Sequence, residues 1–428
     1  MRQSRPLGAA AFAVVALVAA PAAAARPDSG DTAWILTSSA LVLFMTLPGL
    51  ALFYGGLVQA RHFLSVLMQC LGIAAVASVL WLLVGHALAF GGEGMLLGGL
   101  DRVLLVGLAR DELRGTVPEA AFFVFQTTFA VITPALVIGA YVERIRFAAV
   151  LLWSALWLLL VYAPVAHWIW GGGFLAHLGT LDFAGGLVVH ATAGAAALAV
   201  ARVLGPRQGF PRHLALPHSP GLTLAGAGML WVGWFGFNGG SALAAGGDAA
   251  MAILVTHMAA ATAALVWMAL EWTRHGKPSL VGAATGVIAG LATITPASGY
   301  VGPLGGLVLG VLAAVLCYPA IGFVKSRLGI DDALDVMAVH GVGGMTGSLL
   351  LAVLMAEGLG GVGYGGDGGL LAQLGAQIAG IVVTFGWSLA VSWLLALLCR
   401  ATVGLRVERE AETEGLDYAE HGESAYNW

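Results

Sequence analysis

The chain has 428 residues, 59% of them hydrophobic and only 10% charged, whereas soluble domains carry roughly a quarter charged residues. So few charges cannot coat a water-soluble surface of this size, which places the chain in a lipid bilayer. The formal net charge of -4 hides no basic cluster dense enough for nucleic acid. Cys70, Cys317 and Cys399 lie far apart in apolar runs, as small buried hydrophobes do and disulfide or metal-ligand frameworks do not.

In chain order, the first segment carries Arg2 and Arg5, an apolar run from Leu7 to Ala20, then Pro21 and four alanines, Ala22 to Ala25. This is the layout of a cleavable secretory signal over residues 1–25. An uncleaved extra helix is the competing reading. Residues 26–400 then read as one transmembrane domain, with expected spans at 32–56, 64–90, 119–141, 147–170, 183–204, 220–238, 249–272, 280–297, 301–324, 333–356 and 370–399. Most are near or above the roughly 20 residues that a crossing needs; the stretch 280–297 is the shortest. The expected fold is an all-α membrane protein of eleven transmembrane helices. It comprises two five-helix repeats, about 32–204 and 220–356, a final helix at 370–399, and a tail at 401–428. The 62 glycines recur within the spans, and small residues let helices approach closely in lipid.

Lysine and arginine orient the spans. One set of alternate loops holds Arg61; Arg144 and Arg146; Arg202, Arg207 and Arg212; Arg274 and Lys277; and Lys325 and Arg327. The tail adds Arg400, Arg406 and Arg409. The opposite set holds Arg102, Arg110 and Arg114 in one longer loop, plus Arg26. This asymmetry predicts a mature N-terminus outside and a cytoplasmic tail, and therefore an odd number of crossings.

Two segments repeat. In one, Asp182 precedes His190 of a Val-His pair by eight positions, and Gly194 follows by four. In the other, Asp332, His340 and Gly344 have the same spacing. The first opens the fifth expected span and the second the tenth. An offset of five spans inverts the topology, a common plan for transporters with a site near the midplane. Eight residues of helix rise about 12 Å into a core about 30 Å thick, so two imidazoles entering from opposite faces arrive near the middle together. They are read as a pore pair offering ring nitrogens to a small hydrogen-bonding guest, because intramembrane ionisable residues are costly and tend to be functional. The competing reading is a packing histidine on each helix. A zinc site fails for want of a third ligand, and His86, His167 and His257 lack the motif. Asp182 and Asp332 are expected to cap their helices; direct cation binding by Asp182 is the competing role.

Phe125, Phe129, Trp170, Trp234 and Phe237, with Ser241, fall near helix ends or on pore-facing candidates. Such aromatics are ordinarily an interfacial belt or core packing. The segment from Trp231 to Ser241 is more unusual, since its glycines bring backbone close to aromatic faces. An aromatic cage with one hydroxyl suits a small, partly dehydrated cation.

Taken together, these stretches strongly resemble the ammonium transporter family (Amt/MEP/Rh), and its bacterial members in particular. The resemblance rests on Ala40–Gly49, Leu52–Gly56, Glu143–Phe147, the Asp182–His190 motif, Trp234–Ser241 and Val339–Gly344. In the tail it rests on Gly404–Val407, Gly415–Asp417 and His421–Glu423. It implies an eleven-helix protomer with inverted repeats, a homotrimer with one pore per subunit, and a bacterial inner (plasma) membrane location. By position, it implies that Phe129, Trp170 and Ser241, with Phe125 nearby, form an ammonium recruitment site. Phe129 and Phe237 match a phenyl gate, His190 and His340 the pore pair, and Trp234 a pore-wall residue. It implies no cofactor and no metal. The implied partners are ammonium or ammonia, the lipid bilayer and a PII-type (GlnK-like) regulator at the tail. The departures are Leu187, where a relative has Thr, and the pair Thr127 and Thr128. An ammonium sensor and an Rh-like gas channel compete with the conduit; an intramembrane enzyme lacks any nucleophile–base constellation.

Overall fold

The computed structural model describes residues 26–212, 215–365 and 368–426; the expected signal peptide at 1–25 lies outside them. The runs are α1 (Ser29–Leu57), α2 (Ala60–Phe90), α3 (Glu119–Tyr141), α4 (Phe147–His177) and α5 (Gly186–Leu204). They continue with α6 (Pro220–Trp234), α7 (Gly247–His275), α8 (Leu280–Ile294), α9 (Pro303–Arg327), α10 (Met337–Leu354) and α11 (Gly369–Thr402). Among the described residues, nine of these are long and apolar enough to cross a membrane. The other two are α8, a shorter apolar helix, and α6, which continues as a wide π-helical stretch through Phe235–Gly239. Each expected span falls on one of these runs. A two-stranded hairpin, β1 (Leu113–Arg114) and β2 (Val117–Pro118), leads into α3. Two short helices, α12 (Arg409–Glu414) and α13 (Leu416–His421), form the tail.

α3 and α5 are mostly buried, while α9 and α11 are mostly on the outside. Leu265, Val382 and Leu394 are among the exposed apolar side chains. That arrangement fits a hydrocarbon solvent, in which an outward leucine costs nothing and every backbone polar group has to be satisfied within helices.

Asp182 explains where α5 begins. Its carboxylate accepts the backbone N–H groups of Gly185, Gly186, Leu187 and Val188 at 3.0, 2.6, 2.8 and 3.0 Å. The chain enters through Gly185 at φ +110°, a conformation that suits only glycine. Asp332 holds its helix more lightly, through the N–H of Met337 at 2.7 Å. Both motif helices open with a π-helical turn, Gly186–Ala191 and Met337–Gly341. Such wide turns recur at functional sites.

The motif glycines set the crossing of α5 and α10. A Cβ on Gly194 would lie 2.3 Å from Gly341 Cα, and one on Gly344 would lie 2.5 Å from Gly186 O. Early residues of one helix thus meet later residues of the other, so the two run antiparallel and nearly touch backbone to backbone. Larger residues at either position would drive them apart.

The tail folds back onto its own chain. Ile145 and Arg406 form a β-bridge. Arg146 N–H donates to Leu405 O, and Val407 N–H to Arg144 O, both at 3.1 Å. Asp417 accepts Ser65 N–H at 2.8 Å, and Glu420 accepts Phe147 N–H at 2.8 Å. Two tail carboxylates therefore cap the first turns of α2 and α4. Beneath the tail, Arg207 binds Asp331 in two-pronged fashion at 2.9 and 3.0 Å and reaches Glu143 at 3.0 Å. Burial alone would raise the Asp331 and Glu143 carboxyls, but Arg207 together with Arg144 at Asp331, and Arg207 together with His62 and the Gln59 N–H at Glu143, outweigh it and hold both below their ordinary range.

Candidate functional site

Two cavities approach one another through the bundle. The first, of about 320 Å³, is lined by Phe125, Phe129, Trp170 and Ser241, with Gln126 and Arg114. Phe125 and Phe129 project from α3 one turn apart, centroids 5.0 Å apart. Trp170, at the break in α4, stands edge-on to Phe129 at 5.9 Å. Its Nε1–H donates to Asp182 O at 2.7 Å, which ties the cavity wall to the capped start of α5. The Ser241 hydroxyl donates to Phe237 O at 2.9 Å. Its oxygen lone pairs therefore remain to accept from a cationic N–H in the cavity.

Below this cavity the aromatic stack closes. Phe129 and Phe237 are stacked at 4.3 Å, and neither is more than 1% exposed. Beyond them lies His190, 6.1 Å from Phe237, with its ring stacked on Trp234 at 5.5 Å. Trp234 is fixed by donating Nε1–H to Thr295 Oγ1 at 2.9 Å. His190 and His340 are stacked at 5.2 Å, with their Nδ1 atoms 3.3 Å apart. His190 Nε2 is buried and bonded to no protein group among the described residues.

His340 also lines the second cavity, of about 210 Å³, with Tyr54, Val339, Lys325 and Asp335. Lys325 pairs with Asp335 at 2.7 Å. The order along the bundle is therefore aromatic cavity, phenyl pair, imidazole pair, second cavity. Phe125, Phe129, Trp170, Ser241, Phe237, Trp234, His190 and His340 fall on this line; Asp182 and Asp332 sit at the helix starts that aim it, and Gly194 and Gly344 at the helix crossing. Arg114, Gln126, Thr295 and Tyr54 were not singled out in advance. Thr295 lies at the end of the shortest expected span, 280–297, and Arg114 entered only in the charge count.

The departures are absorbed locally. Thr127 and Thr128 donate to Phe123 O at 2.8 Å and Phe125 O at 2.6 Å, so neither adds a free polar group. Leu187 is fully buried, close under Gly380 of α11. Among the described residues, no group of three or more His, Cys, Asp or Glu could hold a metal ion.

A family profile described as Ammonium Transporter Family matches residues 33–426. A putative ammonium transporter of Methanothermobacter thermautotrophicus is 46% identical over 406 residues, covering 93% of this chain and 98% of that protein. Ammonium transporter Amt1 of Archaeoglobus fulgidus is 43% identical over 403 residues, 93% of this chain and all of the relative. Among solved structures, one titled Sensor Amt Protein aligns with a TM-score of 0.86 at 31% identity, covering 92% of this chain and 98% of the other. Candida albicans Mep2 aligns with a TM-score of 0.84 at 35% identity, covering 94% and 93%. A match along nearly the whole length, in sequence and in fold, makes this chain a member of the ammonium transporter family of membrane transport proteins.

Proposed function

We propose that the chain conducts ammonia taken from captured ammonium. The observation that carries this reading is the unbroken stack from Phe129 and Phe237 to His190 and His340 between two polar-mouthed cavities. The basic loops and the tail lie by the second cavity, so positive-inside bias makes that side cytoplasmic and the Phe125 cavity the outer vestibule. This supports eleven crossings with the mature N-terminus outside.

Ammonium is held in the outer vestibule by cation–π attraction to Phe125, Phe129 and Trp170, and by an N–H donated to Ser241. A bare ion at the membrane centre costs at least about 2.5 kcal/mol even on lenient scales. Ammonium escapes this cost by giving its proton to water in the outer vestibule and crossing the phenyl gate as neutral ammonia. Potassium has no proton to lose and meets the whole cost. Past the gate, the imidazole nitrogens replace the hydrogen bonds that ammonia surrenders.

The resemblance further supports a homotrimer with one pore per subunit in the bacterial inner membrane, and a PII-type regulator docking at the tail. A second reading, an ammonium sensor, is favoured by the fold neighbour titled Sensor Amt Protein; here it would need a partner to carry the output. Flux and current in proteoliposomes, comparing ammonium, potassium and carbon dioxide, test both. Ammonium-dependent transport with potassium excluded supports the conduit. Binding without flux supports the sensor, and carbon dioxide flux alone supports a gas channel.

A further inference from the structure

The outer vestibule has two aromatic platforms. Phe125, Phe129 and Trp170 form one. Phe90 and Phe122, edge to face at 5.1 Å, form the other. The second already carries a cation: the Arg114 guanidinium carbon lies 4.3 Å from the Phe122 centroid and 5.2 Å from that of Phe90. Both platforms and Arg114 line the same cavity of about 320 Å³.

Local structure fixes the arginine there. Arg114 ends β1, Gly115 turns the hairpin at φ +63°, and β2 runs directly into α3, which carries Phe122, Phe125 and Phe129. Glu119, in the first turn of α3, holds Arg114 with Nη1 3.8 Å from its Oε1. The two charges are not equally presented. The Arg114 side chain is 36% exposed and lines the cavity, whereas Glu119 is 8% exposed and stands behind it, near His86. A guest therefore meets the guanidinium first.

We propose that Arg114 is a specificity-determining residue, a resident cation that fills the second platform and weakens cation capture on the first. This rests on the recruitment reading given above. Two unit charges within a cavity roughly 9 Å across repel enough to lower occupancy by roughly two- to twenty-fold, depending on how much water screens them. A divalent ion meets the square of that factor. Capture is thereby restricted to monovalent ions with a compensating aromatic and hydroxyl contact.

The test is ammonium transport by the full-length protein in proteoliposomes, per inserted protein, at low ionic strength and again with added salt of a large impermeant cation. R114Q should lower the half-saturating ammonium concentration by roughly two- to twenty-fold at low ionic strength. R114K should stay at the wild-type value. The R114Q gain should shrink in salt, because the screening length falls from about 30 Å at 0.01 M to about 3 Å at 1 M. R114Q/E119Q should keep the gain. An unchanged or raised value in R114Q, a gain insensitive to salt, or a gain lost in the double variant overturns the proposal; the last would trace the effect to an unpaired Glu119. W170L, run in parallel, separates the two levels. If W170L leaves the concentration dependence unchanged, the recruitment reading itself falls. If W170L shifts it and R114Q does not, only the role of Arg114 falls.

Discussion

His190 and His340 meet through like atoms: Nδ1 faces Nδ1 at 3.3 Å, with the ring planes 21° apart. Two identical ring positions can share one proton between them, so one imidazole donates and the other accepts. The donor ring then has a bare Nε2 and the acceptor ring an Nε2–H. The pair presents one acceptor and one donor, a directional chain suited to a neutral guest that both gives and takes hydrogen bonds. Ammonia is such a guest; potassium is not.

Trp170 and Ser241 should control capture more than maximal rate. W170L removes a cation–π surface worth roughly 0.5–2 kcal/mol, so the half-saturating ammonium concentration should rise by up to about thirty-fold while saturated flux changes little. It also frees the Asp182 carbonyl that the indole holds. S241A should act in the same direction and more mildly. Concentration curves for the two variants that overlay the wild type would remove the aromatic cage from the mechanism.

Tail capping should govern activity without touching selectivity. Asp417 holds the first turn of α2 at Ser65 N–H, and loss of a capping side chain costs about 1 kcal/mol. D417A, or deletion of the chain after Ala401, should therefore reduce ammonium flux and weaken docking of a PII-type protein. The ammonium-to-potassium ratio should hold. A deletion variant with normal flux and normal docking would show that the capping contacts are passive.

Acid should loosen the ion network beneath the tail at a defined pH. Asp331 and Glu143 are held below their ordinary values of 3.8 and 4.5 because Arg207 and its neighbouring cationic and N–H groups together outweigh burial. A carboxyl whose folded value is depressed contributes stability above its unfolded value and loses that contribution as pH falls through the folded one. The contribution is therefore intact at neutral pH and fades below about pH 4. D331N should cost on the order of 3 kcal/mol at pH 7, since it breaks a buried pair, and the gap to wild type should close under acid. Thermal unfolding in detergent across that range is the measurement. A gap independent of pH would mean that asparagine disturbs packing rather than charge.

How far the sequence reaches depends on the kind of signal. The Asp182–His190 and Asp332–His340 spacing carried the meeting of the imidazoles, because an inverted repeat fixes direction and depth at once. It did not carry the π-helical turns at Gly186 and Met337 or the start of α5 three residues after the expected 183. The start of α5 follows from four N–H groups converging on the Asp182 carboxylate, a contact that no periodicity encodes. The stacking of Phe129 on Phe237 joins residues far apart in the chain. Only the family resemblance paired them; composition and hydropathy see two phenylalanines among seventeen. Arg114 was legible as a charge on the arginine-poor side, but its seat on Phe122 depends on a hairpin too short to be seen as strands.

The imidazole pair should act as a unit. Replacing one ring with alanine leaves the other Nδ1 unmet in a buried site, a penalty on the order of 1–3 kcal/mol. Removing His190 also opens space beside Trp234 and Phe237, which stack on it. H190A and H340A should each cut ammonium flux, or admit hydrated potassium, because a wet pore no longer demands that the guest be neutral. The double alanine variant should lose less than the two singles combined, since the second substitution removes a group already stranded by the first. Ammonium and potassium fluxes of both singles and the double, at matched insertion, measure this directly. Wild-type flux together with wild-type discrimination in the double variant would return both histidines to a packing role. Strictly additive losses would instead mean two independent contacts along the path rather than one shared hydrogen bond.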